Sequence, residues 1–395
     1  MPMVLQGGTE VHTLLLIRVL IGLGYAVTVC CYYEYQDAMV SNFETAGAQV
    51  LLLKRRRNTS SRSTIRELIS LLIDLRKTFS LLRPDALHVQ YVAPGFIPII
   101  AGRLAGIKKI FATVHTAGDT LDGPAAKYIL RFSARLCSHF VCVSKSAGEH
   151  WFGKCEVFDP ISRGQHKRHS AIYNGVDFLY IEKTIASANT KKLRKELGLN
   201  AVKTIGSVGR LVTLKGYAVL LRAFKEIVKE YSESALVIVG DGIERQSLEL
   251  LASELGISPK ICWLGEQPQK KVFELLAVMD IFAVPSFVEG FGLTAAEAMA
   301  AALPVVASNV EGLREVVEDG VSGKLVRPGN PSELAGAVLT LLRDPKECRR
   351  LGLVGRERVR ELFSFDTFQK SYSTLYLMEL GDSAGSKDNR MPDPL

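Results

Sequence analysis

The 395-residue sequence has no uninterrupted apolar run of about 18 residues, so no segment reads as a membrane-spanning helix. No signal peptide opens it, and a cytoplasmic location is expected. Cysteine is sparse and unpaired in pattern. Cys30, Cys31, Cys137, Cys142, Cys155, Cys262 and Cys348 are odd in number, scattered and without a Cys-x-x-Cys pair. That excludes a disulfide framework or a zinc ribbon and predicts reduced, mostly buried thiols. No Asp-x-Asp triplet occurs, so nothing marks a divalent metal site, and neither metal nor other cofactor is expected. No Gly-x-Gly-x-x-Gly follows a strand, which argues against a nicotinamide dehydrogenase. The basic residues are not interleaved with aromatics in any recognisable module, so no nucleic-acid partner is expected.

What is present begins with length. A chain of this size exceeds one ordinary domain, and 47% hydrophobic residues can fill two cores. Charge is uneven. Residues 1–177 carry 21 Lys+Arg against 13 Asp+Glu, which accounts for the whole net charge of +8. The first half is therefore expected to meet something anionic, such as a lipid phosphate or a membrane surface.

Helical and strand patterns alternate throughout, the mark of parallel sheets covered by helices on both faces. In the first half a helix near 9–23 leads to strands at 26–31 and 49–53. A helix at 64–82 places Ile65, Leu68, Ile69, Leu72, Leu75, Phe79 and Leu82 on one face. Strands near 86–92, 109–114 and 139–143 follow, with Ser144 positioned to cap the next helix. A polar loop spans 153–169, and Asn174-Gly175 is a turn signal after the short strand Ala171–Tyr173. The second half has strands at Thr204–Val208, Ala235–Val239, Ile261–Leu264, Ile281–Val284 and Pro304–Ala307. Two Rossmann-like domains result, 1–173 and 178–362. A last helix within 363–380 is expected to return to the first domain, and the tail 381–395 to be disordered. In open sheets of this kind ligands lie beyond the carboxyl ends of the strands, and with two such domains in the cleft they face. The first domain lacks a normal opening strand, since only Met3-Val4-Leu5-Gln6 precedes Gly7-Gly8.

Two segments carry chemistry. Gly206-Ser-Val-Gly-Arg210-Leu-Val-Thr-Leu-Lys215-Gly216 joins a strand to a helix. Its two cations, five apart on a glycine-bearing loop, suit a diphosphate that leaves with added negative charge; a plain solvated turn is the alternative. Pro285-Ser-Phe-Val-Glu289-Gly-Phe291-Gly292-Leu293-Thr-Ala-Ala-Glu297 runs from a strand end through a glycine turn into a helix. Amides at that helix start can meet anionic oxygens. Glu289 and Glu297 can accept hydrogen bonds from sugar diols, one from a transferred sugar and one from ribose. Acidic residues near a helix start are also commonplace.

Together, Arg210…Lys215 and the Glu-x₇-Glu spacing resemble family 4 of the retaining GT-B glycosyltransferases, the group 1 glycosyl transferases. Ile172-Tyr-Asn-Gly-Val-Asp177, Val237-Ile-Val-Gly-Asp-Gly242, Pro304-Val-Val-Ala-Ser308 and Asp319-Gly-Val-Ser-Gly323-Lys-Leu-Val326 agree. The resemblance spans nearly the whole chain. It implies an α/β GT-B fold, two Rossmann-like domains with parallel sheets facing across a cleft. It implies a metal-independent hexosyltransferase of cell-envelope type, using a UDP- or GDP-sugar donor. Arg210 and Lys215 then bind the diphosphate and Glu297 the ribose. Glu289 and the Phe291-Gly292-Leu293 backbone hold the transferred sugar. The loop near Trp263–Glu266 faces the base. Gly7-Gly8-Thr9-Glu10 is similar to the family's glycine loop near phosphate and acceptor, and His115 to the histidine lining the donor-sugar site. His88 and Gln90 read as structural, and His12 as surface or helix packing. The chain departs from the family at the opening strand, at Ala302 in place of a glycine, and at Glu311-Gly312 in place of Gly-Gly. The change at Ala302 is expected to tighten packing.

The acceptor stays open between lipid-linked, polysaccharide and small-molecule alcohols. Lys54-Arg55-Arg56-Arg57, Arg62, Arg66, Arg76 and Lys77 flank or ride on the helix at 64–82. They suit peripheral contact with an anionic bilayer, or an ordinary solvated helix face. A phosphorylase or nucleotide-sugar epimerase would share the architecture, and a nucleotide-sugar-binding partner subunit without transferase activity is the alternative of another class.

Overall fold

The computed structural model describes residues 1–56, 65–91, 95–116, 124–162, 168–199 and 202–381. Arg57, Arg62, residues 163–167 of the polar loop and the tail from 382 lie outside them. The chain divides into two compact units: residues 1–175 with the segment from Phe368 onward, and Val176–Thr367.

The first unit runs α1 (Gly8–Gly22), β1 (Thr28–Cys31), α2 (Asp37–Thr45), β2 (Gln49–Leu52), α3 (Ile65–Leu82), β3 (Ala86–Tyr91) and α4 (Phe96–Leu104). It continues with β4 (Lys109–Val114), α5 (Pro124–Arg135), β5 (His139–Cys142), α6 (Lys145–Phe152) and β6 (His169–Ala171). Every strand pair is parallel, as the alternating pattern predicts. The sheet, however, is in two pieces, β1–β2 and β3-β4-β5-β6. Residues before Gly7 make one lone parallel bridge, Val4 to Tyr35, with Val4 N donating to Glu34 O at 2.9 Å. Val4 is fully buried, so this short segment acts as a hydrophobic plug beside β1 in place of a strand.

Ser144 caps α6 as expected, accepting from Ala147 N at 3.1 Å. The apolar face read for α3 is corrected. Leu71, Leu75 and Phe79 reach the core, whereas Ile65, Ile69 and Leu82 are exposed. Leu71 rather than Ile69 completes the buried i, i+4, i+8 stripe, because Leu outnumbers the positions that one 3.6-residue face can bury. The strand read at Ala171–Tyr173 lies two residues earlier, at β6.

The second unit runs α7 (Phe178–Ser187), α8 (Thr190–Glu196), β7 (Lys203–Val208), α9 (Tyr217–Glu230), β8 (Ser234–Val239), α10 (Arg245–Glu254), β9 (Ile261–Trp263) and α11 (Gln269–Leu276). Then come β10 (Ile281–Val284), α12 (Leu293–Ala300), β11 (Val305–Ser308), α13 (Glu311–Val316), β12 (Lys324–Val326), α14 (Pro331–Arg343), α15 (Pro345–Leu362) and α16 (Phe365–Leu380). The last helix begins in this unit and passes into the first at Phe368. The six parallel strands are ordered β12-β11-β10-β7-β8-β9. Strands β8, β10 and β11 are buried along their whole length, which is why they read as continuous apolar runs. Strand order reverses between β7 and β10, so the loops leaving those two strands part there. That divergence is where an open parallel sheet leaves room for a ligand.

Ala302 stands at a strained position. It follows α12 with a left-handed backbone, φ +59. Its N–H donates to Met299 O at 2.8 Å, and Leu303 N donates to Ala298 O at 3.0 Å. This paired closure of a helix end favours glycine at the left-handed position. The alanine stores backbone strain there.

Candidate active site

The two loops at the strand divergence are locked to each other. After β7 the chain passes Arg210 and makes a 3₁₀ turn, Thr213–Lys215. Phe287 N, on the loop after β10, donates to Leu214 O at 2.8 Å. Gly216 ends the turn at φ +70, and a Cβ there would come within 2.1 Å of the Pro285 carbonyl oxygen. Only glycine permits that contact. The lock delivers Lys215 to the acidic loop. Its Nζ lies 2.5 Å from Glu289 Oε1, which also accepts from Ser286 Oγ at 2.9 Å. An ammonium has three donors, so Lys215 can hold Glu289 and still reach an anionic oxygen.

The Glu289 loop is fixed from below as well. Gly312 packs on it so closely that a Cβ would stand 2.5 Å from Glu289 O and 2.8 Å from Phe291 N. The single glycine of Glu311-Gly312 is thus the one the contact needs. Phe291 is buried and edge-on to Phe363, ring centres 5.2 Å apart. Gly292, left-handed at φ +101, starts α12, and no side chain caps the helix amides at Leu293 and Thr294. Such an uncapped start presents N–H donors and the positive end of the helix dipole.

Glu297 sits one turn into α12, with a side-chain hydrogen bond to Gln269 on α11. It keeps an opening to solvent, yet burial among its neighbours raises its carboxyl to about 7. Arg210 is exposed and makes no hydrogen bond or ion pair by its side chain with a described residue. Its loop is held by Leu211 N donating to Asp241 O at 2.9 Å. Near the Trp263 loop, sequence reasoning missed Arg245, whose guanidinium lies over the Trp263 ring at 4.8 Å. Nothing in an 18-residue separation marks that stacking.

In the first unit, Gly7 caps α1 with extended backbone and Gly8 is its first residue, so the pair forms a helix start without a left-handed turn. His115 directly follows β4, its Nε2 2.7 Å from Gln90 Oε1. Its ring stands edge-on to His12 with centres 4.9 Å apart. Burial, then the nearby His12 and His88, hold His115 well below the usual histidine range. It is a neutral imidazole at neutral pH, able to hydrogen-bond a hydroxyl. Of the two readings of His12, surface or helix packing, the second holds: it is buried on α1 and packs edge-on against Phe368 and Tyr372 of α16. Its Nδ1 lies 2.8 Å from Asn174 Oδ1 and its Nε2 3.2 Å from Tyr372 Oη, and burial pushes its pKa down to about 4. His88 is structural, as read, bonded to Tyr376 Oη at 2.6 Å and Thr113 Oγ1 at 2.8 Å. Burial lowers it to about 3. Gln90, also read as structural, is the partner of His115.

Among the described residues no group of three or more His, Cys, Asp or Glu side chains is placed to hold a metal ion. No helix of the described residues is long and apolar enough to cross a membrane.

Comparison with known proteins gives the following. Residues 189–358 match the family described as Glycosyl transferases group 1, and residues 6–178 match Glycosyltransferase Family 4. The N-acetyl-alpha-D-glucosaminyl L-malate synthase of Bacillus anthracis is 30% identical over 308 residues, 77% of this chain and 77% of that protein. The D-inositol 3-phosphate glycosyltransferase of Corynebacterium jeikeium is 37% identical over 211 residues, 51% of this chain and 50% of that protein. Among solved structures, Anabaena HepE in complex with UDP and glucose superposes with a TM-score of 0.75 at 22% identity, covering 94% of this chain and 98% of that one. Sucrose-phosphate synthase from Thermosynechococcus elongatus gives 0.74 at 20% identity, covering 97% and 96%. At these identities the two structures speak for the α/β fold of parallel sheets in two domains.

Proposed function

The chain belongs to the family 4, group 1 glycosyltransferases and has their GT-B fold, and we propose that it moves a hexose-type sugar from a UDP- or GDP-sugar to a separate acceptor alcohol with retention of configuration. The observation carrying this reading is the convergence of Lys215, Glu289 and the uncapped start of α12 at the divergence of β7 and β10. HepE, a protein of the same fold, was solved with UDP and glucose, which supports a nucleotide-sugar donor.

In this reading Arg210, Lys215 and the Leu293–Thr294 amides take the diphosphate, and no metal is required. As the bond from the sugar's anomeric carbon to the phosphate oxygen breaks, negative charge grows on that oxygen, and these fixed donors stabilise it without reorganising. The acceptor oxygen bonds to the anomeric carbon on the same face, and its proton passes to the departing phosphate oxygen. Glu289, oriented by Ser286 and Lys215, accepts hydrogen bonds from the sugar hydroxyls, and Glu297 from the ribose. His115 contributes a neutral imidazole to the sugar side, and the Gly7-Gly8 helix start further amides. The acceptor is a lipid-linked, polysaccharide or small-molecule alcohol, with cell-envelope polysaccharide synthesis the setting.

Losing one such donor costs roughly 10²–10³ in turnover, and Lys215→Ala is expected to fall in that range with its melting temperature little changed. The donor is found by screening nucleotide sugars for thermal stabilisation and slow hydrolysis. Near-parental turnover of Lys215→Ala, or activity abolished by a chelator, would refute the mechanism. Donor binding without transfer to any acceptor would instead favour a binding subunit.

A further inference from the structure

We propose that Gln90 is a positioning residue for His115: its side-chain oxygen holds the hydrogen on His115 Nε2 and so reserves Nδ1 as an acceptor for a hydroxyl of the bound sugar. This deepens the transfer reading and rests on its placing of His115 beside the donor sugar.

The sheet register brings the two residues together. Strands β3 and β4 are parallel neighbours, and Gln90 stands opposite Thr113. His115 follows Thr113 by two residues, so Gln90, Thr113 and His115 share one face of the sheet. The opposite face is apolar, with Val89, Ala112 and Val114 in the core formed with α3 and α4. Gln90 is 4% exposed, and an amide so buried needs a hydrogen-bond partner.

The other polar groups of this face pair among themselves. Asn174 Oδ1 only accepts, so His12 Nδ1, 2.8 Å away, carries the hydrogen. The lone pair of His12 Nε2 then takes the Tyr372 hydroxyl at 3.2 Å, and Tyr372 Oη accepts from Thr113 Oγ1 at 3.3 Å. Thr113 in turn accepts from His88 Nε2 at 2.8 Å, and His88 Nδ1 accepts from Tyr376 Oη at 2.6 Å. The donors all run one way, which strengthens each bond and leaves no member to spare. None of them hydrogen-bonds His115, which meets His12 through a perpendicular ring contact.

His115 is thus left to Gln90. Its Nε2 lies 2.7 Å from Gln90 Oε1, an oxygen that can only accept, so Nε2 bears the hydrogen. Burial, then the neighbouring His12 and His88, disfavour a second proton on the ring. The lone pair therefore sits on Nδ1, which makes no hydrogen bond with a described residue. His115 is only half-buried and keeps an opening to solvent. The backbone beside it is held, since Trp151 Nε1 donates to Thr116 O at 2.7 Å. A lone pair fixed in advance needs a donor opposite it. A sugar hydroxyl supplies one, whereas a carboxylate or carbonyl oxygen there would be left unpaired.

The first test needs no ligand. Long-range hydrogen–nitrogen correlation spectra of the full chain, labelled at histidine nitrogen, show which ring nitrogen carries the hydrogen. The His115 signals are those lost in His115→Ala. The expected spectrum has a protonated Nε2 and a bare Nδ1 at neutral pH, with well-separated shifts. Gln90→Met keeps the length but loses the oxygen, so both tautomers should populate and the two shifts draw together. The second test is transfer and slow hydrolysis of UDP-glucose and of GDP-mannose. Gln90→Met should lower kcat/KM about fivefold to tenfold in the parent, the worth of one hydrogen bond. In the His115→Ala background it should lower it no further, because Gln90 acts through His115. A merely structural role would lower it equally in both. Hydrogen on Nδ1, shifts indifferent to Gln90→Met, or equal losses in the two backgrounds overturn the proposal. Parental turnover of His115→Ala would instead remove His115 from the sugar side of the transfer reading. The spectra judge the hold of Gln90 on His115 in that case, and also where neither sugar is turned over.

Discussion

At the scale of single residues, Glu297 shows how a binding group is kept at a cost. Burial raises its carboxyl from the ordinary 4.5 to about 7, so the folded chain holds that proton more tightly than the unfolded chain does. The sign follows from this. Stability is least affected below pH 4.5, erodes as pH rises toward 7, and stays reduced above it. Glu297→Gln should therefore melt higher than the parent above pH 7 and equally near pH 4.5, by calorimetry. If the ionised carboxylate is what accepts from ribose, donor affinity should weaken as pH falls through about 7, and the Gln variant should flatten that profile. A parental donor profile unaltered by the substitution would remove Glu297 from the donor site. Lys215 and Glu289 differ in kind, because they are ion-paired with each other before any donor arrives.

At the scale of elements, the end of α12 carries a price that one substitution can relieve. Ala302 occupies a left-handed position at which a Cβ crowds the following carbonyl, at about 1–2 kcal/mol. Glycine loses more entropy on folding, by about 0.4–1 kcal/mol. Ala302→Gly should leave a net gain of about 1 kcal/mol, read as a higher denaturant midpoint at unchanged slope. A lower midpoint would mean that the methyl group contributes packing after all.

The same element shows what was legible in advance. Strands β8, β10 and β11 were readable because burial on both faces leaves their interiors apolar. The motifs at Arg210–Gly216 and Glu289–Glu297 were readable because each is continuous in sequence, and the structure brings Lys215 to Glu289. Pairings distant in sequence were not, among them Gln90 with His115 and His12 with Asn174 and Tyr372, because periodicity carries no trace of them. Helix α3 misled for a local reason. Leu and Ile fill more than one face, and only the α4 contact decides which stripe is buried.

At the scale of the whole molecule, titration is divided between the units. All seven histidines lie before residue 176, and none lies in the second unit. Burial lowers His12 to about 4 and His88 to about 3, and His115 is lowered as well. Each is neutral when folded and would gain a proton near pH 6.5 when unfolded. Their contribution is therefore complete above pH 6.5 and is lost as pH falls toward 4. Each pH unit in that window is worth about 1.4 kcal/mol per group. By pH 4 the loss reaches several kcal/mol, of the order of a domain's whole stability. The second unit has no such group, and Glu297 there gains from acid. The first unit should thus unfold at the higher pH. The two tryptophans report on one unit each: Trp151 is buried in the first, its Nε1 donating to Thr116 O at 2.7 Å, and Trp263 lies under Arg245 in the second. In an acid titration, Trp263→Phe, which keeps Trp151, should change its fluorescence between pH 6.5 and 4. Trp151→Phe should change only at lower pH. Coincident transitions would show that the buried histidines do not set the acid limit of the first unit, and that the two units lose structure together.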